Sequence, residues 1–193
     1  MFTFLLINTA LASNVPASTA AESAPTTDYD VQAAYLFNFS LSSIEWPTIL
    51  STADGIKIVT VCIIGDSPGF VKSLQKIQQS EMAAKKLKIN IMQPDEGANL
   101  SPCNIAYIAK NKPNFKNDIA GAAAYPILTI SPIAGFAASG GIIELVIKEV
   151  SDNAGGAPIN SRVKISLIIN NKAATNSHIK ISPDLLEMAE VIR

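Results

Sequence analysis

Apolar and polar residues follow one another in short blocks along this chain, and the block 125–148, YPILTISPIAGFAASGGIIELVIK, organises the rest. Residues 126–130 are apolar and β-branched, which predicts a buried strand. Ser131-Pro132 ends that run. Residues 133–139 predict a short helical turn, and Gly140-Gly141 breaks it and leads into a second buried strand at 142–148. Two strands joined by a tight, nearly uncharged crossover predict a sheet centre covered on both faces.

The blocks on either side extend this pattern. Residues 28–42 predict a helix, capped by Thr27 or Asp28 and apolar almost all round, hence buried on more than one side. Pro47 forbids Trp46 from continuing it. Residues 56–64, IKIVTVCII, predict a strong strand. Gly65-Asp66-Ser67-Pro68 then turns the chain into a helix running to about 79, with Asp66 or Ser67 as cap. Strands are predicted at 87–92 and 103–108, and a helix at 115–123. Beyond the central block comes a polar Gly/Pro loop at 151–161. A strand at 163–169 is expected to fold back on 142–148 as a hairpin. A short helix at 170–176, an extended stretch at 179–181 and a capped closing helix at 182–191 complete the chain. Alternating β and α blocks followed by a hairpin predict a single α/β domain. Its sheet is mostly parallel, with helices on both faces and an antiparallel edge hairpin.

Composition narrows the function classes. The chain has 193 residues, is 48% hydrophobic and 16% charged, and carries a formal net charge of −1. It is long enough for one domain with a substantial core. It lacks the basic balance of a nucleic-acid binder, so no nucleic-acid partner is expected. No apolar run reaches the length of a membrane-spanning helix.

Residues 1–12, MFTFLLINTALA, are apolar and end in Ala10-Leu11-Ala12, an A-x-A cleavage site. They predict a secretory signal peptide removed after Ala12, with Ala20 as a later alternative. The usual basic start is missing, since the first Lys or Arg is Lys57. Either the free amine supplies the charge or the start codon is misassigned. Residues 13–27 are rich in Ser, Thr, Ala and Pro and read as a flexible leader, so the folded domain is expected over 28–193. An exported chain with two cysteines, Cys62 and Cys103, is expected to join them. Two buried thiols or a redox pair are the alternatives. One geometric tension stands: Cys62 falls late in its strand and Cys103 begins another, while a bridge needs Cα atoms within about 7 Å.

Few residues offer chemistry. Asp66 sits where a strand gives way to a helix, the usual ligand crevice of an open α/β sheet, and Ser67, Lys110 and Ser131 are candidates for the same rim. The blander role for Asp66 is helix capping alone. His178 is the only histidine, and no H-E-x-x-H, C-x-x-C or G-x-S-x-G motif accompanies it. It is expected in a left-handed or surface-loop position. No Walker or G-x-G-x-x-G loop is present. No catalytic residue, metal or cofactor is expected. Tyr35, Phe37, Phe39 and Trp46 are candidate anchors for a protein partner, with core packing as the competing role.

Four segments together resemble the YfiR/HmsC family of periplasmic proteins: VQAAYLFNFSLSSIEWP (31–47), VCIIGDSPGF (61–70), CNIAYIA (103–109) and ILTISPIAGFAASGGIIELVI (127–147). The tail VKISLIINNKAATNSHIKISPDLLEMAEVI follows in family order. The chain departs from the family pattern in several places. One extra residue stands between Phe39 and Glu45. Ser139 stands where Arg is common, and His178 where Gly is. The 151–161 loop is enlarged, and there is no second cysteine pair. The resemblance implies a periplasmic, dimeric repressor that binds the sensor region of an inner-membrane diguanylate cyclase. Such a protein lowers cyclic di-GMP and biofilm formation. A periplasmic small-ligand-binding module is the alternative.

Overall fold

The computed structural model describes residues 27–80, 86–151 and 161–192. The expected signal peptide, nearly all of the leader and the 152–160 loop lie outside them. No helix among the described residues is long and apolar enough to cross a membrane.

The chain enters through helix α1 (Asp28–Asn38) and a π-helical turn (Phe39–Ser43). Thr27 and Asp30 form a capping box at the start of α1, which satisfies otherwise orphaned backbone donors. The predicted helix runs on to 42, but α geometry ends at Asn38. There the Ser40 hydroxyl donates back to the Leu36 carbonyl at 2.8 Å, a contact that competes with the helical ladder and bends it. A π turn closes a wider ring than an α turn, and it carries the chain from α1 to Ile44.

Short strands β1 (Ile44–Glu45) and β2 (Leu50–Ser51) precede the main sheet. β3 (Lys57–Ile64), α2 (Pro68–Gln78), β4 (Leu87–Met92), β5 (Ile105–Ile108), α3 (Phe115–Ala122), β6 (Leu128–Ser131) and β7 (Ile143–Ser151) follow. β8 (Ser161–Asn170), α4 (Asn171–Asn176), β9 (Lys180–Ile181), α5 (Pro183–Glu187) and β10 (Glu190–Ile192) complete it. The main sheet runs β4-β3-β5-β6-β7-β8-β10. β2 lies against the start of β3, and β1 pairs with β9 in a separate antiparallel ribbon. β4, β3, β5, β6 and β7 are all parallel, and β8 returns antiparallel to β7. The fold is therefore the α/β sheet with an antiparallel hairpin that the pattern of blocks predicts.

The closing helix is the main correction. It is expected over 182–191 but ends at Glu187, and Glu190–Ile192 form β10, parallel to β8. The β-branched pair Val191-Ile192 fits a pleated edge better than a helix. β10 therefore covers the end of β8 at Ile168–Asn170, so only the base of the hairpin stands one strand inside the sheet's edge.

Side-chain alternation divides the core into two layers. Val59, Val61 and Ile63 of β3 face α1 and α2, together with Ile105 and Tyr107 of β5. Cys62, Ile64, Ala106 and Ile108 face α3 and the β6–β7 crossover. That crossover is pinned by polar groups. Buried Glu144 accepts from the Gly135 and Ala137 N–H groups at 3.1 and 3.2 Å. Ser131 and Thr129 accept from Ile133 and Ile142. A Cβ at Gly141 would run into the fully buried Phe136 ring.

Candidate functional site

The sheet's order creates one crevice. After β3 the chain crosses through α2 to β4 on one side, and then returns to place β5 on the other side of β3. Strand order reverses there, and open α/β sheets bind ligands outside the carboxyl ends of strands at such a point. At the end of β3, Gly65 has φ +90°, a left-handed conformation that suits glycine. A Cβ there would stand 3.3 Å from the Ala109 Cβ and 3.4 Å from the Lys112 Cδ. This close approach brings the loop after β5 against the loop after β3.

A hollow of about 680 Å³ opens at this place. Ile63 and Ile64 contribute apolar surface, Asp66 borders it, and residues 93–100 of the helix-free β4–β5 connection form one wall. Asp118 and Tyr125 contribute from α3 and the turn after it. The lining is acidic, with Asp66, Asp95, Glu96 and Asp118 against a single cation, Lys112. Lys112 Nζ lies 3.3 Å from Glu96 Oε1. The Asp118 Oδ2 atom is buried with no hydrogen-bond partner. Burial pushes the Asp118 carboxyl up, Lys112 opposes the shift, and Glu96 adds to it. The site can accept hydrogen bonds from a polar ligand. Among the described residues no His/Cys/Asp/Glu group is arranged to hold a metal ion.

The expected crevice residues divide. Asp66 is exposed and lines the hollow. Ser67 is buried at the head of α2, and its side chain makes no capping bond. Ser131 does not line the hollow: its hydroxyl donates to the Ile108 carbonyl at 2.9 Å and belongs to the crossover. Lys110 is exposed elsewhere, and Lys112, two residues on, lines the crevice. Asp118 and the acidic 93–100 wall carry no sequence signal beyond their charge. Glu144 does carry one, as the lone carboxylate in the apolar run IIELVI.

Cys62 and Cys103 form a disulfide with Cα atoms 5.7 Å apart. The register tension is resolved by a turn. The Cys103 N–H donates to the Leu100 carbonyl at 2.9 Å, and β5 begins only at Ile105, with Cys62 level with Ala106. Cys103 thus approaches Cys62 over the α3 face instead of along the ladder. His178 is exposed with φ +57°.

The aromatic candidates are placed mostly inside. Phe37 and Phe39 are 6% and 3% exposed, within the layer beneath α1. Trp46 is buried and donates its indole N–H to the Asn104 carbonyl at 3.1 Å. Tyr35 is half-buried, edge-on to Phe39, with its hydroxyl 3.5 Å from the Ile165 carbonyl. Burial commits Phe37, Phe39 and Trp46 to this chain's own core.

Among curated proteins no relative matches the chain. A family model described as YfiR/HmsC-like matches residues 29–153, more than half of the 193. This match spans α1 through β7, including the switch crevice, the disulfide and the pinned crossover, and the chain belongs to the YfiR/HmsC-like family.

Proposed function

We propose that this chain is an exported, non-enzymatic regulator. It binds the periplasmic sensor region of an inner-membrane diguanylate cyclase and holds that enzyme in its inactive state. Cyclic di-GMP and biofilm formation fall as a result. Family membership over residues 29–153 carries this reading. A protein with no reaction of its own acts through differential affinity for two states of its partner. The reading includes a signal peptide cleaved after Ala12, a folded domain from residue 28, and a homodimer. The test is a cyclic di-GMP reporter in wild type and in a strain deleted for this chain. Deletion should raise the signal through one membrane cyclase. An unchanged reporter under biofilm-forming conditions defeats the reading.

A second reading is small-ligand binding in the switch crevice. The observation that favours it is the hollow of about 680 Å³ beside the partnerless Asp118 oxygen. A thermal-shift screen with small hydrogen-bond donors tests it. A stabilising compound should lose its effect in Asp66→Ala and Asp118→Asn, whereas a library without effect on the wild type removes the reading.

A further inference from the structure

We infer that the outer half of the β7–β8 hairpin is a docking edge for an acidic, extended segment of a partner protein, which adds to β7 as a further strand. Nine cross-strand pairs join β7 to β8. β6 and β10 flank only the first two of them, Ile143↔Ile169 and Glu144↔Ile168. The outward groups of Leu145↔Leu167 close those two ladders, and the last six pairs, from Val146↔Ser166 to Ser151↔Ser161, have no third strand on either side among the described residues. The ribbon is still anchored, because Leu145, Ile147, Ile165 and Leu167 belong to the core layer beneath α1.

The two edges of the ribbon differ. The Asn170 N–H donates to the Ile142 carbonyl, so even-numbered residues of the hairpin face each other and odd-numbered ones point their backbone groups outward. On the β8 side, the Tyr35 hydroxyl already reaches the outward Ile165 carbonyl. On the β7 side, the Ser131↔Glu144 register gives the Leu145 N–H to β6, and beyond it the N–H and C=O groups of Ile147 and Glu149 face away from β8 with no strand beside them among the described residues. Such an edge is a template for another chain.

Charge selects that chain. Lys148 stands directly opposite Lys164, which sets their Cβ atoms about 5 Å apart. Both are exposed, and neither makes an ion pair or side-chain hydrogen bond with a described residue. A second copy pairing through the same edge would bring further lysines beside these two, a repulsive arrangement that argues against self-association here. An acidic strand relieves the repulsion that the native pair leaves standing.

This deepens the regulatory reading by naming the element that meets the partner, and its test needs no cyclase, so the two can fail separately. The probe is an acetylated heptapeptide alternating glutamate with valine and threonine, compared with its lysine-for-glutamate twin. Fluorescence anisotropy on the purified protein should show the acidic peptide binding at least about tenfold tighter than the twin. The K148E/K164E variant, verified as folded by its thermal transition, should reverse that preference. Hydrogen exchange at the amides of Ile147 and Glu149 should slow by about tenfold or more in the complex. Equal binding of both peptides, no binding, or binding without protection of those two amides overturns the proposal. So does binding to phosphatidylserine vesicles in place of the peptide.

Discussion

Tyr107 on β5 donates its hydroxyl to the side-chain oxygen of Gln32 on α1, 2.8 Å away, with both residues out of water. The Tyr107 ring also stacks on Phe70 of α2, with centroids 3.6 Å apart and planes 14° from parallel. One side chain thus ties the sheet to both helices of that layer. Burial, with Tyr29 nearby, pushes the phenol pKa up and keeps it a hydrogen-bond donor. Tyr107→Phe should cost about 1–3 kcal/mol, because the Gln32 oxygen is left buried without its donor. Adding Gln32→Leu should recover part of that loss. Urea unfolding of both singles and the double decides it: strictly additive losses would show that the two residues are not coupled.

The disulfide spans 41 residues. On the loop-entropy model such a bridge contributes about 4 kcal/mol. A Cys62→Ala/Cys103→Ala variant should lose stability on that scale in chemical denaturation. Intact-mass analysis of the wild type should show alkylation of both cysteines only after reduction, and labelling without reductant would count against the bridge.

Asp30 works on two elements at once. Its Oδ2 accepts from the Thr27 N–H, and its Oδ1 accepts from Ser73 and Lys76 of α2 at 2.7 and 3.1 Å. Burial alone would raise its pKa, but the hydrogen bonds from Thr27, Ser73 and Lys76 outweigh it and hold the carboxyl well below the usual range. The folded pKa lies below the unfolded one. Asp30 therefore stabilises the fold above about pH 4, and that contribution is lost as pH falls toward the folded value. Unfolding free energy measured from pH 6 to pH 2 should show a shallower acid-side slope in Asp30→Asn. An unchanged slope contradicts this role.

Asp118 carries the opposite sign. Its pKa is raised, so its contribution is most favourable below the unfolded value near pH 4 and is lost as pH rises through the folded one. Asp118→Asn should therefore raise Tm at pH 7, with the gain shrinking toward pH 3. A variant less stable than wild type at neutral pH would mean that the charge is compensated.

Gly141→Ala tests the packing of the crossover. The new methyl would meet the buried Phe136 ring, and overpacking of that kind costs about 1–3 kcal/mol. A Tm within a degree of wild type would show that the ring moves aside freely.

Much of the fold was legible because apolar period and turn residues agree over most blocks. LKINIM at 87–92 reads as a strand and is β4 without adjustment, and Asn170 was rightly placed at the head of a short helix. The extended stretch at 179–181 is β9, whereas β1, β2 and β10 have no counterpart in the sequence pattern. Those three are two or three residues long, and their partners, not a period, decide them. The crevice was half legible. Asp66 follows from the strand-to-helix junction, but Lys112 in place of Lys110, and the acidic wall at 93–100, depend on where loops lead. For Phe37 and Phe39 the sequence leaves partner anchoring and core packing both open. Spacing does not say what covers a face, and here the protein's own sheet does.

The path from β6 to β7 takes eleven residues, Pro132 to Ile142, at the short limit for joining parallel neighbours, which ordinarily takes about a dozen or more. Glu144 holds two backbone N–H groups of that path, and Phe136 fills the space beneath it. The segment therefore acts as a ruler. Individual side chains along it can change while the spacing is kept, but one inserted or deleted residue would carry Gly135 and Ala137 off the carboxylate and Phe136 out of its socket. Relatives that share this path should vary in its letters and agree in its length.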